Sequence, residues 1–238
     1  MSVPDFRHRA TTPEWMDGDD VTQAQFAACV ADLATVNSIT LARPPTLAFV
    51  RRALAAMPSD AVPTILDVGF GEGDMLRSIA AMLQRLGRPA RLIGIDLNWR
   101  SEAVARAATP AGMAIEWRTG DAFEWPGDQA PDLIISSLVT HHMDDTGIVR
   151  FLAWMEATGR HGWFVNDLHR HPIAWYSFKA MAALARWHPF VRHDGPVSIE
   201  RSFVRKDWER LLAAAGVADQ ATIHWRFPFR YCVERRRW

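Results

Sequence analysis

Strand-like and helix-like patterns alternate along the middle of the chain. Apolar runs of the length typical of buried parallel strands occupy residues 65–68, 91–96, 114–118, 133–137 and 161–165. Between them, apolar residues recur at three- and four-residue intervals, the spacing of helices that cover a sheet. Five such alternations with short connections predict a parallel sheet with helices on both faces.

Two helices are predicted before the first strand. Apolar residues at helical spacing indicate one helix over residues 22–36, capped near Asp19 or Asp20, and a second helix over 46–57. We therefore expect residues 1–60 to form a helical cap on the sheet. This cap either covers the edge of the sheet or closes over a ligand, and the sequence leaves both interpretations open.

The last third of the chain departs from the regular alternation. An aromatic-rich helical pattern begins at Ile173, and a further helix follows it. Two strands near 222–227 and 230–234 then predict an antiparallel hairpin at the end of the sheet. The domain that carries the sheet is thus expected over residues 61–238.

The composition is that of an ordinary globular protein. The 238 residues are 49% hydrophobic and 23% charged, with 27 Lys+Arg balanced by 27 Asp+Glu. This balance argues against a nucleic-acid substrate, since phosphate contacts need a basic surface. Cys29 and Cys232 form no metal-binding pattern, and we identify neither a signal peptide nor an apolar run of about 18 residues. We therefore expect a protein of the reducing cytoplasm.

The candidate chemistry begins at a glycine turn directly after the first strand. Its spacing, G-x-G-x-G, is formed by Gly69, Gly71 and Gly73. An acid, Asp67, precedes the first glycine by two residues. A strand, a glycine turn and a helix together present backbone N–H groups and a helix N-terminus to a ligand. A dinucleotide fingerprint would instead be G-x-G-x-x-G, and the place of its third glycine holds Asp74, whose carboxylate would repel a pyrophosphate.

Polar residues also lie at the ends of the later strands. Asp96 ends the second strand, where a Rossmann-like unit has an acid that binds ribose hydroxyls; the alternative is that it only caps the next helix. Asp121 follows the third strand, and the alternative for it is an Asx turn. Ser137 ends the fourth strand. Because ligands of parallel sheets bind at the carboxyl ends of the strands, we expect these side chains to share one site with the glycine turn.

These features resemble motif I and the later acidic positions of the class I S-adenosylmethionine (SAM)-dependent methyltransferases. The resemblance covers residues 60–165 by motif and 200–235 by the order of elements. It implies an α/β fold with a Rossmann-like, doubly wound, mostly parallel seven-stranded sheet that ends in an antiparallel hairpin. It also implies that residues at about 170–203 are a helical lid inserted after the fifth strand. Phe70 departs from the family, which usually has Cys or Ser within this turn.

SAM is the cofactor that the resemblance implies. Its sulfonium and ammonium groups, unlike a pyrophosphate, tolerate the acids of the turn. No metal is expected, because the position where metal-dependent members carry acidic ligands holds Leu138, His141 and His142. The residues expected to bind SAM are Asp67, Gly69, Gly71, Gly73, Asp96, Leu97, Asp121, Ala122, Phe123 and Ser137.

Histidines after the fourth and fifth strands are the candidate proton acceptors. His141 and His142 lie in the loop that, by the resemblance, runs beside the reactive methyl group. His169 lies in the run N-D-L-H-R-H after the fifth strand. An imidazole takes up a proton near neutral pH. We rank His169 first because its loop begins the predicted lid, His141 second and His142 third; the alternative is that one of the paired histidines only packs.

The binding site for the methyl acceptor is expected around the same run and the aromatic helix after it. Asp167 and Arg170 would supply polar groups there, and Trp175 and Phe178 would supply aromatic walls. The alternative is that the aromatic side chains only pack on the sheet. The run and the helix further resemble a bacterial subgroup of small-molecule methyltransferases associated with polyketide- or quinone-like metabolites, which implies a role in secondary metabolism.

The leading hypothesis is a SAM-dependent methyltransferase that acts on an oxygen, or an activated carbon, of a lipophilic aromatic or polyketide- or quinone-like small molecule. We expect a monomer or homodimer with no nucleic-acid partner and no membrane span. The alternatives left open are a SAM-binding protein of other chemistry, a methyltransferase of protein or RNA, a nicotinamide-dependent oxidoreductase and a non-catalytic partner subunit.

Overall fold

Seven strands form one sheet in the computed structural model, which describes residues 4–126 and 130–238. Residues 1–3 of the predicted cap lie outside the described residues. In chain order the strands are β1 Thr64–Val68, β2 Arg91–Asp96, β3 Glu116–Thr119, β4 Leu133–Ser137, β5 Gly162–Leu168, β6 Ala221–Arg226 and β7 Arg230–Arg236.

The order of the strands in space is β3-β2-β1-β4-β5-β7-β6. Strands β1 to β5 run parallel, whereas β7 pairs antiparallel with both β5 and β6. The direction of winding reverses between β1 and β4, and in open parallel sheets ligands bind at the carboxyl ends of the strands beside such a reversal. The predicted doubly wound sheet with a terminal hairpin is confirmed.

The described residues form eight helices around this sheet. They are α1 Gln23–Ile39, α2 Arg43–Ala55, α3 Asp74–Leu86, α4 Trp99–Ala108, α5 Asp145–Thr158, α6 Pro172–Ala185, α7 Pro189–Arg201 and α8 Arg205–Ala214. Successive strand residues point to opposite faces of a sheet. Ile135 and Phe164 pack with α2 and α3 on one face, whereas Ile134 and Val165 pack with α5 and α8 on the other. Burial on both faces explains why the strands are near-continuous apolar runs.

The start of each N-terminal helix differs from its prediction. Helix α1 is capped by Thr22, not by Asp19 or Asp20, because Thr22 and Gln25 form a reciprocal capping box. Helix α2 begins at Arg43, three residues early, since the prolines at 44 and 45 occupy its first turn, where a missing N–H breaks no helical hydrogen bond.

Strand β5 extends three residues beyond its predicted end. Its last residues pair with β7 up to the partners Leu168 and Arg230. Asn166 and Asp167 therefore belong to the strand, not to a loop after it. Only residues 169–171 remain to connect β5 to α6, so the polar run is much less free than the sequence pattern indicated.

Helices α6 and α7 form the segment predicted as a lid, residues 170–203. They pack on each other and on α1 in one apolar cluster that includes Cys29 and Val36 of α1, Trp175 and Phe178 of α6 and Val191 of α7. Cap and lid thus share a core above the carboxyl edge of the sheet. The division into a cap and a separate domain near residue 60 stays a prediction.

No single helix in the described ranges is long and apolar enough to cross a membrane. Helices α1 and α2 together have the length and apolar composition of a membrane span, but the pair is bent by 73°. Both bury apolar side chains inside the protein, among them Phe26 and Phe49.

Arg170 ties the lid to the N-terminal arm, which we define as residues 4–22. Its buried guanidinium lies 3.0 Å from Asp207 Oδ2 and donates from Nε to the Phe6 carbonyl at 3.0 Å. Further donors reach the carbonyls of Arg7 and Ser202. A buried charge with its hydrogen-bonding groups satisfied in this way has a structural role.

We expect Arg170→Met to lower the free energy of unfolding by about 3 kcal/mol, because Asp207 and several carbonyls would lose a buried partner. Urea unfolding of the purified variant measures this change. Arg192→Met, at an exposed position of α7, is the control and should stay within about 0.5 kcal/mol of the wild type. Equal stabilities of the two variants would contradict the structural role of Arg170.

Candidate active site

A cavity of about 990 Å³ lies at the carboxyl edge of the sheet. The residues that follow β1, β2, β3 and β4 line one side, and α1, α6 and α7 line the other. Ligand pockets for small molecules measure roughly 300–1,000 Å³. The cavity therefore has the size to hold two small molecules together, and its position is the one expected for an open parallel sheet.

The glycine turn after β1 needs glycine for three separate reasons. Gly69, Gly71 and Gly73 have φ values of 75°, 56° and 80°, in the left-handed region that side chains disfavour. A Cβ atom at Gly69 or Gly73 would also come within 2.3 Å of Val139 or Trp117. A Cβ atom at Gly71 would meet nothing within 4 Å, and Gly71 lines the cavity. Gly71 is thus the glycine whose missing side chain leaves room for a ligand.

Asp67 is one of the residues that line this cavity, and within the described ranges it has an unpaired oxygen. The side chain is buried, and its Oδ2 has no hydrogen-bond partner among the described residues. Burial, with the nearby charges of Asp74 and Asp96, raises the pKa of Asp67 well above its usual range. Buried polar atoms are nearly always paired, so this oxygen fits a positively charged or hydrogen-bond-donating ligand.

Asp96 joins the glycine turn to the end of β2. Its Oδ2 accepts the Gly71 N–H at 2.8 Å, and its Oδ1 accepts the Asn98 N–H at 2.8 Å. Asn98, not Asp96, caps α4 by accepting the Arg100 N–H at 3.0 Å. The helix-cap alternative for Asp96 is therefore wrong.

The turn after β3 contains the Asx arrangement that the sequence left open. Asp121 Oδ1 accepts the Phe123 N–H at 2.9 Å. Asp121, Ala122 and Phe123 nevertheless all line the cavity. So do Leu97 and Ser137, and Gly73 is the one residue of the predicted cofactor set that does not, because it faces Trp117 at the start of α3.

Asp167 holds the ring of His141 at the cavity wall. Its Oδ1 lies 2.7 Å from His141 Nδ1, and its Oδ2 accepts the Thr140 hydroxyl at 2.5 Å and the His141 N–H at 3.1 Å. Burial alone would raise the pKa of Asp167, but the charge of His141 and these hydrogen bonds lower it to about 2. In the tautomer with the proton on Nδ1, the ionised Asp167 accepts a hydrogen bond from that N–H, and Nε2 is left as the acceptor nitrogen of the ring.

Two acids of the N-terminal arm reach the same histidines, and the sequence analysis missed both. Glu14 Oε1 lies 3.7 Å from His141 Nε2, and Glu14 Oε2 lies 3.9 Å from His142 Nε2. Asp17 Oδ2 lies 2.9 Å from His142 Nδ1. Asp194 of α7 holds this part of the arm in place by accepting the N–H groups of residues 15 and 16 at 2.8 and 3.0 Å.

The cluster of Glu14, His141 and His142 also bears on the prediction of no metal. One ligand atom from each residue lies within 4.8 Å of the others. The two imidazole rings are tilted against each other, with centroids 4.3 Å apart and planes at 35°. The absence of a metal stays a prediction.

The structure does not bring His169 to the cavity. Its Nδ1 accepts the Trp225 indole N–H at 3.2 Å, and its ring packs against Tyr231 with centroids 4.8 Å apart. Burial and the charges of His171 and Arg170 lower the pKa of His169 to about 4. Its first rank as proton acceptor rested on a loop after residue 165, which the longer β5 replaces.

The four residues predicted for the acceptor site do not lie together in one site. Phe178 lines the cavity, whereas Trp175 lies behind it and donates from Nε1 to Glu200 Oε1 at 2.7 Å. Asp167 contacts His141, and Arg170 has the structural role described above. The apolar wall is instead supplied largely by α1, a contribution that the amphipathic pattern of residues 22–36 could have indicated.

Comparison with known proteins adds sequence relatives. Residues 65–162 match the family model described as "Methyltransferase domain". Trans-aconitate 2-methyltransferase of Azoarcus sp. (strain BH72) is 32% identical over 95 residues, which are 40% of this chain and 35% of that protein. 2-Phytyl-1,4-naphtoquinone methyltransferase of Thermosynechococcus vestitus is 38% identical over 63 residues, 26% of this chain and 27% of that protein. The matches span about a third or less of these relatives' lengths.

Solved structures agree with the fold over most of the chain. The plantazolicin methyltransferase BpumL was solved in complex with a desmethylplantazolicin analogue and S-adenosylhomocysteine (SAH). It superposes with a TM-score of 0.62 at 12% identity, covering 90% of this chain and 95% of that chain. Human N-acetylserotonin methyltransferase in complex with SAM gives a TM-score of 0.59 at 15% identity, covering 90% and 56%. At these identities the likeness establishes the fold alone.

We expect Asp17→Asn to lower the pKa of His142, which is raised to about 9 in the folded protein. Burial would lower this pKa, but the hydrogen bond to Asp17 and the charges of Glu14 and Asp17 outweigh it. Because the folded value exceeds the usual 6.5, the contact stabilises fully below pH 6.5 and is lost as the pH rises through about 9. NMR titration of the His142 imidazole measures the shift in pKa. Urea unfolding at about pH 6.5 and about pH 9 measures how the stability depends on pH.

Asp20→Asn is the control, since Asp20 is an exposed acid of the same arm. It should leave both the His142 titration and the pH dependence of stability unchanged. If Asp17→Asn behaves like Asp20→Asn, the contact between Asp17 and His142 does not form in solution.

Proposed function

We propose that this protein transfers a methyl group from SAM to an oxygen, or an activated carbon, of a lipophilic small molecule. The premise is that residues 65–162 form a methyltransferase domain of the class I SAM-dependent fold. The observation that carries the proposal is one cavity lined both by the strand-end acids with their glycine turn and by His141, whose ring is held by Asp167 from behind the wall. Neither group alone would distinguish a binding site from a catalytic one.

The strand-end residues fit this cofactor. The unpaired Oδ2 of Asp67 suits a ligand with an ammonium group, and the space beside Gly71 suits a close approach to the backbone. Asp96 is proposed to accept the ribose hydroxyls, and Asp121 to Phe123 to border the adenine. When bound, SAM supplies a methyl group on a positively charged sulfur. The carboxylates of Asp67, Asp74 and Asp96 disfavour a pyrophosphate here, and with it the nicotinamide alternative.

His141 is the residue we assign to proton removal. Its Nε2 makes no hydrogen bond among the described residues and would accept the proton of an acceptor hydroxyl as that oxygen took the methyl group that bound SAM would supply. Asp167 keeps the Nδ1 proton in place and offsets the charge of the imidazolium that results. The acceptor thus gains a methyl group, His141 gains the proton, and SAH is released.

The apolar roof of the cavity supports a lipophilic acceptor. Phe26, Leu33 and Val36 of α1 and Phe178 of α6 line it. The two curated relatives are named for trans-aconitate and for a phytyl naphthoquinone, which differ in polarity. The proposed class of acceptor, aromatic or polyketide- or quinone-like, therefore rests on the cavity wall. A place in secondary metabolism, a cytoplasmic location and a monomeric or homodimeric state belong to the same proposal.

We expect Gly71→Val to remove measurable binding of SAM and SAH while the protein still folds. The new side chain would meet no protein atom at its Cβ, so the cost to stability is the positive φ, about 1–2 kcal/mol. Isothermal titration calorimetry measures the binding. Gly87→Val is a matched control, because Gly87 has a φ of 61°, equally open space and a position outside the cavity wall.

Gly87→Val should bind SAH as the wild type does. A wild-type protein that binds neither SAM nor SAH at tens of micromolar would overturn the proposed function. Normal binding by Gly71→Val would move the cofactor site away from the glycine turn.

We expect His141→Gln to reduce turnover by about 10²–10⁴-fold without changing SAH affinity, since the glutamine amide can still donate a hydrogen bond to Asp167 but cannot take up the proton. Single-turnover transfer of radiolabelled methyl groups to a panel of phenols and aromatic carboxylates, followed across pH, measures the effect. Carboxylate acceptors arrive ionised, so the loss should be confined to the phenols. His169→Gln, outside the cavity, should keep the wild-type rate; equal losses in the two variants would contradict the assignment.

A further inference from the structure

A buried cation with no acidic partner among the described residues lies on the wall of the cavity. Arg230, the first residue of β7, is 1% exposed and lines the cavity. Its Nη2 donates to Thr40 Oγ1 at 2.9 Å and its Nε to the Thr40 carbonyl at 3.4 Å. Its Nη1 has no hydrogen-bond partner in the described ranges, and no described carboxylate oxygen lies within 4.0 Å of the guanidinium.

The environment of Arg230 differs from that of Arg170, which is also buried. Arg170 pairs with Asp207 and four backbone or side-chain oxygens satisfy its donors. Asp167 is the carboxylate whose charge raises the pKa of Arg230, but its oxygens already form hydrogen bonds with His141 and Thr140. Burial lowers the pKa of Arg230 to about 10, which still leaves it charged at neutral pH.

A structural role alone explains this arginine poorly. Its two bonds to Thr40 fasten the end of α1 to β7, a task that a neutral side chain would perform without desolvating a charge. Burying an unpaired ion is costly, and proteins usually pair such ions or use them to bind a ligand. Thr40 and Leu168, the residues beside Arg230, also line the cavity, so a ligand can approach this wall.

We propose that Arg230 binds a carboxylate group of a ligand in the cavity. The planar guanidinium matches a carboxylate in shape and charge, and the unused Nη1 provides a donor for it. Two ligands can supply this group: the carboxylate of the cofactor's amino-acid part, or a carboxylate on the methyl acceptor. The inference rests on the proposed function for the identity of these ligands, but the unpaired guanidinium itself does not depend on it.

Calorimetric binding to Arg230→Met separates the two sources. If the cofactor supplies the carboxylate, the variant binds SAH at least about tenfold more weakly, but binds 5′-methylthioadenosine, which lacks the amino-acid part, as the wild type does. If the acceptor supplies it, SAH affinity is unchanged. The wild type with SAH then prefers 2-naphthoate over its neutral analogue 2-naphthamide by at least about tenfold, and the variant loses this preference.

Arg52→Met is the matched control, because Arg52 of α2 pairs with Glu234 outside the cavity wall. It removes the same charge and should change none of these affinities. If Arg230→Met does not fold, Arg230→Lys replaces it in these measurements, since it keeps the charge and loses the planar guanidinium.

The proposal is overturned if Arg230→Met leaves both the SAH affinity and the ratio of 2-naphthoate to 2-naphthamide affinity as in the wild type. Failure of the proposed function has a different signature: the wild type would then bind neither SAH nor 5′-methylthioadenosine. The naphthoate comparison without SAH still tests Arg230 in that case.

Discussion

The hydrogen bond between Asp167 and His141 is the contact on which the arrangement of the cavity depends. It joins the centre of the sheet to the turn after β4, and the same carboxylate also holds Thr140. Asp167 is fully buried because β7 pairs with the last residues of β5. Without that antiparallel strand, β5 would be a sheet edge and its carboxylate would be hydrated. The terminal hairpin of the fold is therefore also what orients the imidazole at the cavity.

The two helices of the helical cap lie in different places relative to the cavity. Helix α2 packs on α3 and the sheet through residues such as Phe49 and Val50, which is the covering role. Helix α1 lines the cavity through Phe26 and Leu33, which places it over the candidate site. Closure of α1 over a ligand stays a prediction.

Features governed by local pattern could be predicted from the sequence, and features governed by distant contacts could not. The strands and the glycine turn follow from periodicity and spacing, and the meeting of Asp67, Asp96 and Asp121 follows from the rule for parallel sheets. The position of His169 outside the cavity could not be predicted, because the pairing of β5 with β7 joins residues 62 to 74 positions apart, which no local pattern reveals. Glu14 was missed for a similar reason, since α7 holds the arm that carries it.

The N-terminal arm beside the cavity is held by hydrogen bonds of a different kind from those within the sheet. Asp194, Arg170 and Arg201 fix the arm through separate side-chain-to-backbone hydrogen bonds, whereas the strands are bound by continuous ladders. Such peripheral contacts open at a lower free energy than the core of a domain. Glu14, Met16 and Asp17 of the arm line the cavity, so a local excursion of the arm would open this part of the wall to solvent while the sheet stays folded.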